Sequence, residues 1–126
     1  MAVQRWELGR GPRRQAIPGG PIVDVAIGAE GGAGLGLVDV TIPAGAVMPE
    51  HAHGDSATLL VVQEGRLRLL DVDSDAVTEL EPGVLATIPI GRRVVLENPE
   101  DADARMLVVL SPPDFATTLA GWPEVG

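Results

Sequence analysis

Gly45-Ala46-Val47-Met48-Pro49-Glu50-His51-Ala52-His53-Gly54-Asp55 holds both histidines of the 126-residue chain, with one residue between them. On a β-strand, side chains two apart share a face, so His51 and His53 are expected to present both imidazoles to one space. Imidazole is the commonest protein ligand for divalent transition metals, and such a pair supplies two adjacent positions of a coordination sphere. Two ligands alone leave an ion mostly solvated and weakly held. Asp55 has the parity of the histidines, and a strand continued through it adds a carboxylate to the same face. Gly54 favours a turn there instead, with Asp55 capping its own backbone. Glu50 has the opposite parity and is expected to face away, as is Glu97 against Val94 and Leu96.

On either side of this stretch, short apolar runs alternate with Gly, Pro and Asp punctuation. The pattern predicts strands over 22–27, 35–42, 47–53, 58–63, 66–72, 77–80, 84–88, 93–97 and 105–110. Glu64-Gly65, Asp73-Ser74-Asp75, Glu81-Pro82-Gly83 and Pro89-Ile90-Gly91 supply turns between them. The tail from Pro112 to Leu119 predicts one short helix. The glycine-rich stretch 28–36 reads as a loop. Strands of this length and spacing imply an all-β sandwich or barrel, and the whole chain, 1–126, reads as a single domain.

Composition narrows the chemistry. Hydrophobic residues make up 45% of the chain, enough for a core at this length. Cysteine is absent, which excludes disulfides, thiolate ligands and thiol nucleophiles. All nine basic residues are arginine, which excludes a lysine Schiff base. A formal charge of −9 disfavours nucleic acid or an anionic membrane as partner. Arg10, Arg13 and Arg14, and the pair Arg92-Arg93, read as solvated faces. No run resembles a signal peptide or a membrane span, so a cytoplasmic location is expected. Ser56, Ser74 and Ser111 fall in expected turns, and no serine-nucleophile constellation is visible.

The spacing of particular residues resembles the cupin family, whose first motif has the form G-x5-H-x-H-x3,4-E-x6-G. Gly45, His51, His53 and Gly65 fall into it in register, with Thr58 in the glutamate position. The second motif, G-x5-P-x-G-x2-H-x3-N, is matched by Gly83, Pro89, Gly91 and Asn98, with Val94 in the histidine position. The motif core therefore runs from 45 to 98. The resemblance implies a double-stranded β-helix, or jelly-roll, barrel with a short C-terminal helix, and by analogy a homodimer.

A metal-bearing cupin typically holds its ion with three histidines and a glutamate, of which only His51 and His53 correspond here. The resemblance therefore implies an incomplete site for a divalent transition metal such as Fe, Mn, Ni, Cu or Zn. If Thr58 and Val94 lie inward as in the family, they join Leu60 and Leu96 in an apolar pocket with one polar spot, suited to a small, largely apolar ligand. His51 and His53 are read as ligands of a divalent metal in a small-molecule cupin of unspecified reaction; the alternatives are metal-free acid/base catalysts of an isomerase or epimerase type, and hydrogen-bonding groups of a non-catalytic binding or sensing barrel. Asp24 and Asp39, on neighbouring strands, are the carboxylates available to orient a catalytic ring. Trp6 and Trp122 are expected to pack on the barrel or across a dimer interface.

Overall fold

Alternation of side chains along each strand builds two facing sheets. In the segment 104–111, Ala104, Met106, Val108 and Leu110 are buried while the residues between them are not, and 36–42 and 57–62 repeat the pattern. The structure, a computed structural model, describes residues 2–125. Its strands are β1 (Arg14–Gln15), β2 (Ile22–Ile27), β3 (Gly36–Ile42), β4 (Val47–His51), β5 (Ala57–Glu64), β6 (Leu67–Asp71), β7 (Val77–Leu80), β8 (Leu85–Ile88), β9 (Val94–Glu97) and β10 (Ala104–Ser111). One helix, α1 (Phe115–Ala120), follows them.

A six-stranded sheet in the order β1-β2-β3-β10-β5-β8 faces a four-stranded sheet in the order β4-β9-β6-β7. Pairing is antiparallel throughout and nested: β3 with β10, β4 with β9, β5 with β8 and β6 with β7. The chain is thus a long ribbon folded back at the β6–β7 turn and wound up. Successive rungs fall on alternate sheets, and β5–β10 and β6–β9 pairs join adjacent turns of the coil. This is the double-stranded β-helix, or jelly roll, implied by the motif spacing.

One end of the barrel is filled by Ile42, Val62, Leu67, Leu80 and Ala104, all buried. Two devices close it. Gly65 takes a φ of 83°, and a Cβ there would stand 3.0 Å from the Cβ of Ala104, so the β5–β6 connection needs glycine. Asn98 is fully buried, and its amide donates to the carbonyls of Ala102, Ile42 and Pro43 while its oxygen accepts from the Glu100 N–H. One side chain thereby satisfies backbone groups of two loops that cannot pair in a sheet.

The other end is closed by the chain termini. Gln15 N–H donates to Pro123 O and Val125 N–H to Arg13 O, while the Arg14 guanidinium donates to Trp122 O. The sequence pattern contains no hint of β1, since a two-residue polar strand carries no alternation. The helix begins at Phe115, after Pro112 and Pro113, and ends at Ala120 before Gly121. Among the described residues, no helix is long and apolar enough to cross a membrane.

Candidate functional site

The histidines reach the barrel interior through a bulge. Met48 pairs with Leu96 but His51 pairs with Val94, so β4 spends three steps where β9 spends two. Pro49 lies in the extra length. It has no N–H to donate to β9, and β4 is the outer strand of its sheet, where such an irregularity is tolerated. The slip puts His51, rather than Glu50, opposite the inward Val94. The strand ends at His51, two residues short of the expected 53, because the chain turns at Gly54 with a φ of 56° and Ser56 N–H donates to His53 O.

The two rings nevertheless meet, with centroids 5.0 Å apart and planes at 84°. His51 Nδ1 donates to the Pro49 carbonyl at 2.7 Å, which leaves Nε2 with its lone pair. His53 packs edge-on against Phe115 at 5.2 Å, and its Nδ1 is buried without a hydrogen-bond partner. Burial, reinforced by the neighbouring His51, lowers the His53 pKa to about 4, so this ring is neutral at neutral pH.

Ser56 fixes Phe115. Its buried hydroxyl donates to Pro112 O at 2.6 Å and accepts from Phe115 N–H at 3.2 Å, tying the start of α1 to the loop that carries His53. The side chain expected to be a simple turn residue is therefore a clamp between two segments 56 positions apart.

Between the sheets above the packed end lies a cavity of about 290 Å³. Its wall includes His51, His53, Leu60, Val94 and Leu96, with Met48, Leu69, Ile88, Met106 and Val108 from the strands. Ile17, Phe115, Leu119 and Trp122 complete it from the termini. Thr58 is not in this wall; it is buried among strand neighbours, with its hydroxyl lacking a partner. Of the terminal residues, the sequence singles out only Trp122, and only as a packing residue. An aromatic placed just after Pro112-Pro113 is the one local sign for Phe115.

The carboxylates take other roles. Glu50, expected to face away, borders the cavity mouth, but its half-exposed carboxylate pairs with Arg93, which is outside the wall, at 3.1 Å. Asp55 is exposed in the turn, outside the wall. Asp39 forms a two-pronged bond with Arg105, at 3.0 and 2.6 Å. Asp24 sits opposite Asp39 on β2, and its carboxyl is pushed above the usual range by burial and then by Asp39. Neither carboxyl reaches the cavity to orient an imidazole, because both side chains alternate to the other face of the six-stranded sheet.

These positions decide how well a metal ion is accommodated. Among the described residues, no group of three or more His, Cys, Asp or Glu side chains converges. The donor set is two imidazoles, with Val94 offering nothing and Glu50 committed to Arg93. That set falls short of the three protein ligands of a typical catalytic metal centre.

No curated protein matches the chain in sequence. Solved structures do match in fold. KdgF from Halomonas sp. superposes with a TM-score of 0.72 at 18% identity, covering 88% of this chain and 94% of that one. The polyketide cyclase RemF from Streptomyces resistomycificus gives 0.64 at 22% identity, covering 88% and 78%. An oxalate oxidase gives 0.67 at 20% identity and covers 79% of this chain, which spans about half, 54%, of the oxidase. The family model described as a cupin domain matches residues 38–110. With both motif scaffolds in register, the nested jelly-roll pairing and a family match over more than half its length, the chain belongs to the cupin family.

Proposed function

We propose that this cupin binds a small, largely apolar molecule in the cavity between its sheets, with His51 and His53 as the polar contact. The observation that carries the reading is the wall itself: apart from the rim carboxylate of Glu50, its only ionisable side chains are the two imidazoles. A cavity near the lower end of the usual ligand-pocket range, apolar with a few convergent polar groups, suits a small organic molecule. A neutral imidazole there accepts a hydrogen bond from the ligand, and in an enzyme it takes a proton from it.

The test uses Met48 and Met106, both of which line the wall. Titration with a neutral aromatic probe is expected to shift both methyl NMR signals to saturation; unmoved signals would overturn the reading. A divalent ion held by His51 and His53 is the second reading, favoured by the Pro49 carbonyl that leaves His51 Nε2 free to coordinate. Metal analysis of the purified protein separates the two. Stoichiometric metal that disappears in His51→Ala would replace the first reading with the second.

A further inference from the structure

Resting on the cavity reading above, we infer that the ligand class is a neutral aromatic alcohol, a phenol of one or two rings, whose O–H donates to the His51–His53 pair. Three features of the wall select it.

The first is charge. None of the chain's nine arginines lines the cavity, so a carboxylate or phosphate held among its apolar side chains would find no arginine beside it. The one carboxylate, Glu50, is half-exposed and already paired with Arg93, so an ammonium group finds no free partner either. The ligand is uncharged.

The second is hydrogen-bond polarity. Because His51 Nδ1 donates to Pro49 O, the remaining nitrogen of a neutral ring is an acceptor. A ketone, ester or ether would set lone pair against lone pair, whereas a hydroxyl supplies the missing proton. At His51 the Pro49 contact therefore selects for a donor, while the one N–H of a neutral His53 can give to the same oxygen; a hydroxyl meets both, and an ether only the second.

The third is surface and size. Phe115, Trp122 and the perpendicular imidazoles offer ring faces and edges, and Met48 and Met106 offer polarisable thioethers, all of which favour an aromatic guest. About 290 Å³, in a pocket that opens to solvent on one side, accommodates one or two fused rings.

The test compares three probes of one skeleton on the full chain, read at the Met48 and Met106 methyl signals: 2-naphthol, 2-methoxynaphthalene and 2-naphthoate. The expected order is naphthol tightest, the methoxy compound weaker by roughly fivefold as befits one lost hydrogen bond, and naphthoate weakest. Long-range proton–nitrogen spectra of the unmodified protein should show the unprotonated His51 nitrogen moving on addition of naphthol and staying put with the methoxy compound. In His51→Phe the preference for naphthol over its methyl ether should fall to about one. Equal binding of naphthol and its ether, or naphthoate as the tightest ligand, would overturn the phenol assignment while leaving the cavity reading intact. No methyl shift with any of the three would overturn both. The nitrogen spectrum decides the matter even if His51→Phe fails to fold.

Discussion

The two ends of this barrel are built from the same strands and behave as opposites. Along β5, Val62 lies in the packed end and Leu60 faces the cavity; along β6, Leu67 is packed and Leu69 faces the cavity; along β10, Ala104 is packed and Met106 faces the cavity. Aliphatic residues do not separate the ends, since Val, Leu and Ile wall both, although the cavity alone adds Met48, Met106, the imidazoles, Phe115 and Trp122. The closures do. The packed end is shut locally, by the turn at Gly65 and the hydrogen bonds of Asn98, so side chains from both sheets converge there. The other end is shut by segments far apart in sequence, 13–21 and 115–125, which meet over the strands without filling the space between them. Stability is thus concentrated at one end and room for a ligand at the other.

Truncating the two ends should break that symmetry most visibly. Leu67→Ala leaves a void in a closed core and should cost about 3–5 kcal/mol, whereas Leu60→Ala widens an existing cavity and should cost nearer 2 kcal/mol. Urea denaturation measures both, and equal losses would erase the distinction. Asn98→Ala strips the partners from buried carbonyls at the packed end and should cost about 2–3 kcal/mol, while leaving the methyl shifts of Met48 and Met106 with a bound probe unchanged.

Acid should act mainly at the open end. His53 has a pKa lowered from 6.5 to about 4 by burial, so below 6.5 the unfolded chain takes up a proton that the folded chain refuses. Its contribution is fully present above 6.5 and is lost as pH falls toward 4, at about 1.4 kcal/mol per pH unit once the unfolded side chain is protonated. His53→Leu should flatten that slope between pH 6.5 and 4; an unchanged slope would place its origin elsewhere.

The smallest effect expected is that of Ser56→Ala, which unclamps Phe115 from the histidine loop at about 1 kcal/mol. Hydrogen exchange should quicken at the Phe115 amide and stay slow at Leu67. Equal change at both sites would make Ser56 a general stabiliser and not a fixture of the open end.

The strands were the legible part. Alternating apolar positions and Gly or Pro turns mark β2 and β7 to the residue and the other central strands to within a residue or two, because each signal is local. Pairing of the histidines was legible as well, though by a different route from the strand alternation that predicts it. A bulge at Pro49 and a turn at Gly54 bring the rings together. A proline in an edge strand is the sequence sign of that bulge, but which strand is an edge is known only once the sheets are formed. The lid was not legible. β1 pairs through polar residues with a segment more than a hundred positions away, and Phe115 and Trp122 join the cavity wall only after that closure.

Whether a ligand binds at the open end alone is decided by a methyl NMR titration of the full chain with 2-naphthol, following Met48, Met106 and Leu60 in the cavity wall beside Leu67 and Leu80 in the packed end. Binding confined to the open end gives saturable shifts for the first three and none for the last two, with the response abolished when Val108→Trp fills the cavity. Shifts spread evenly over both ends, or a response that survives the filled cavity, would contradict it.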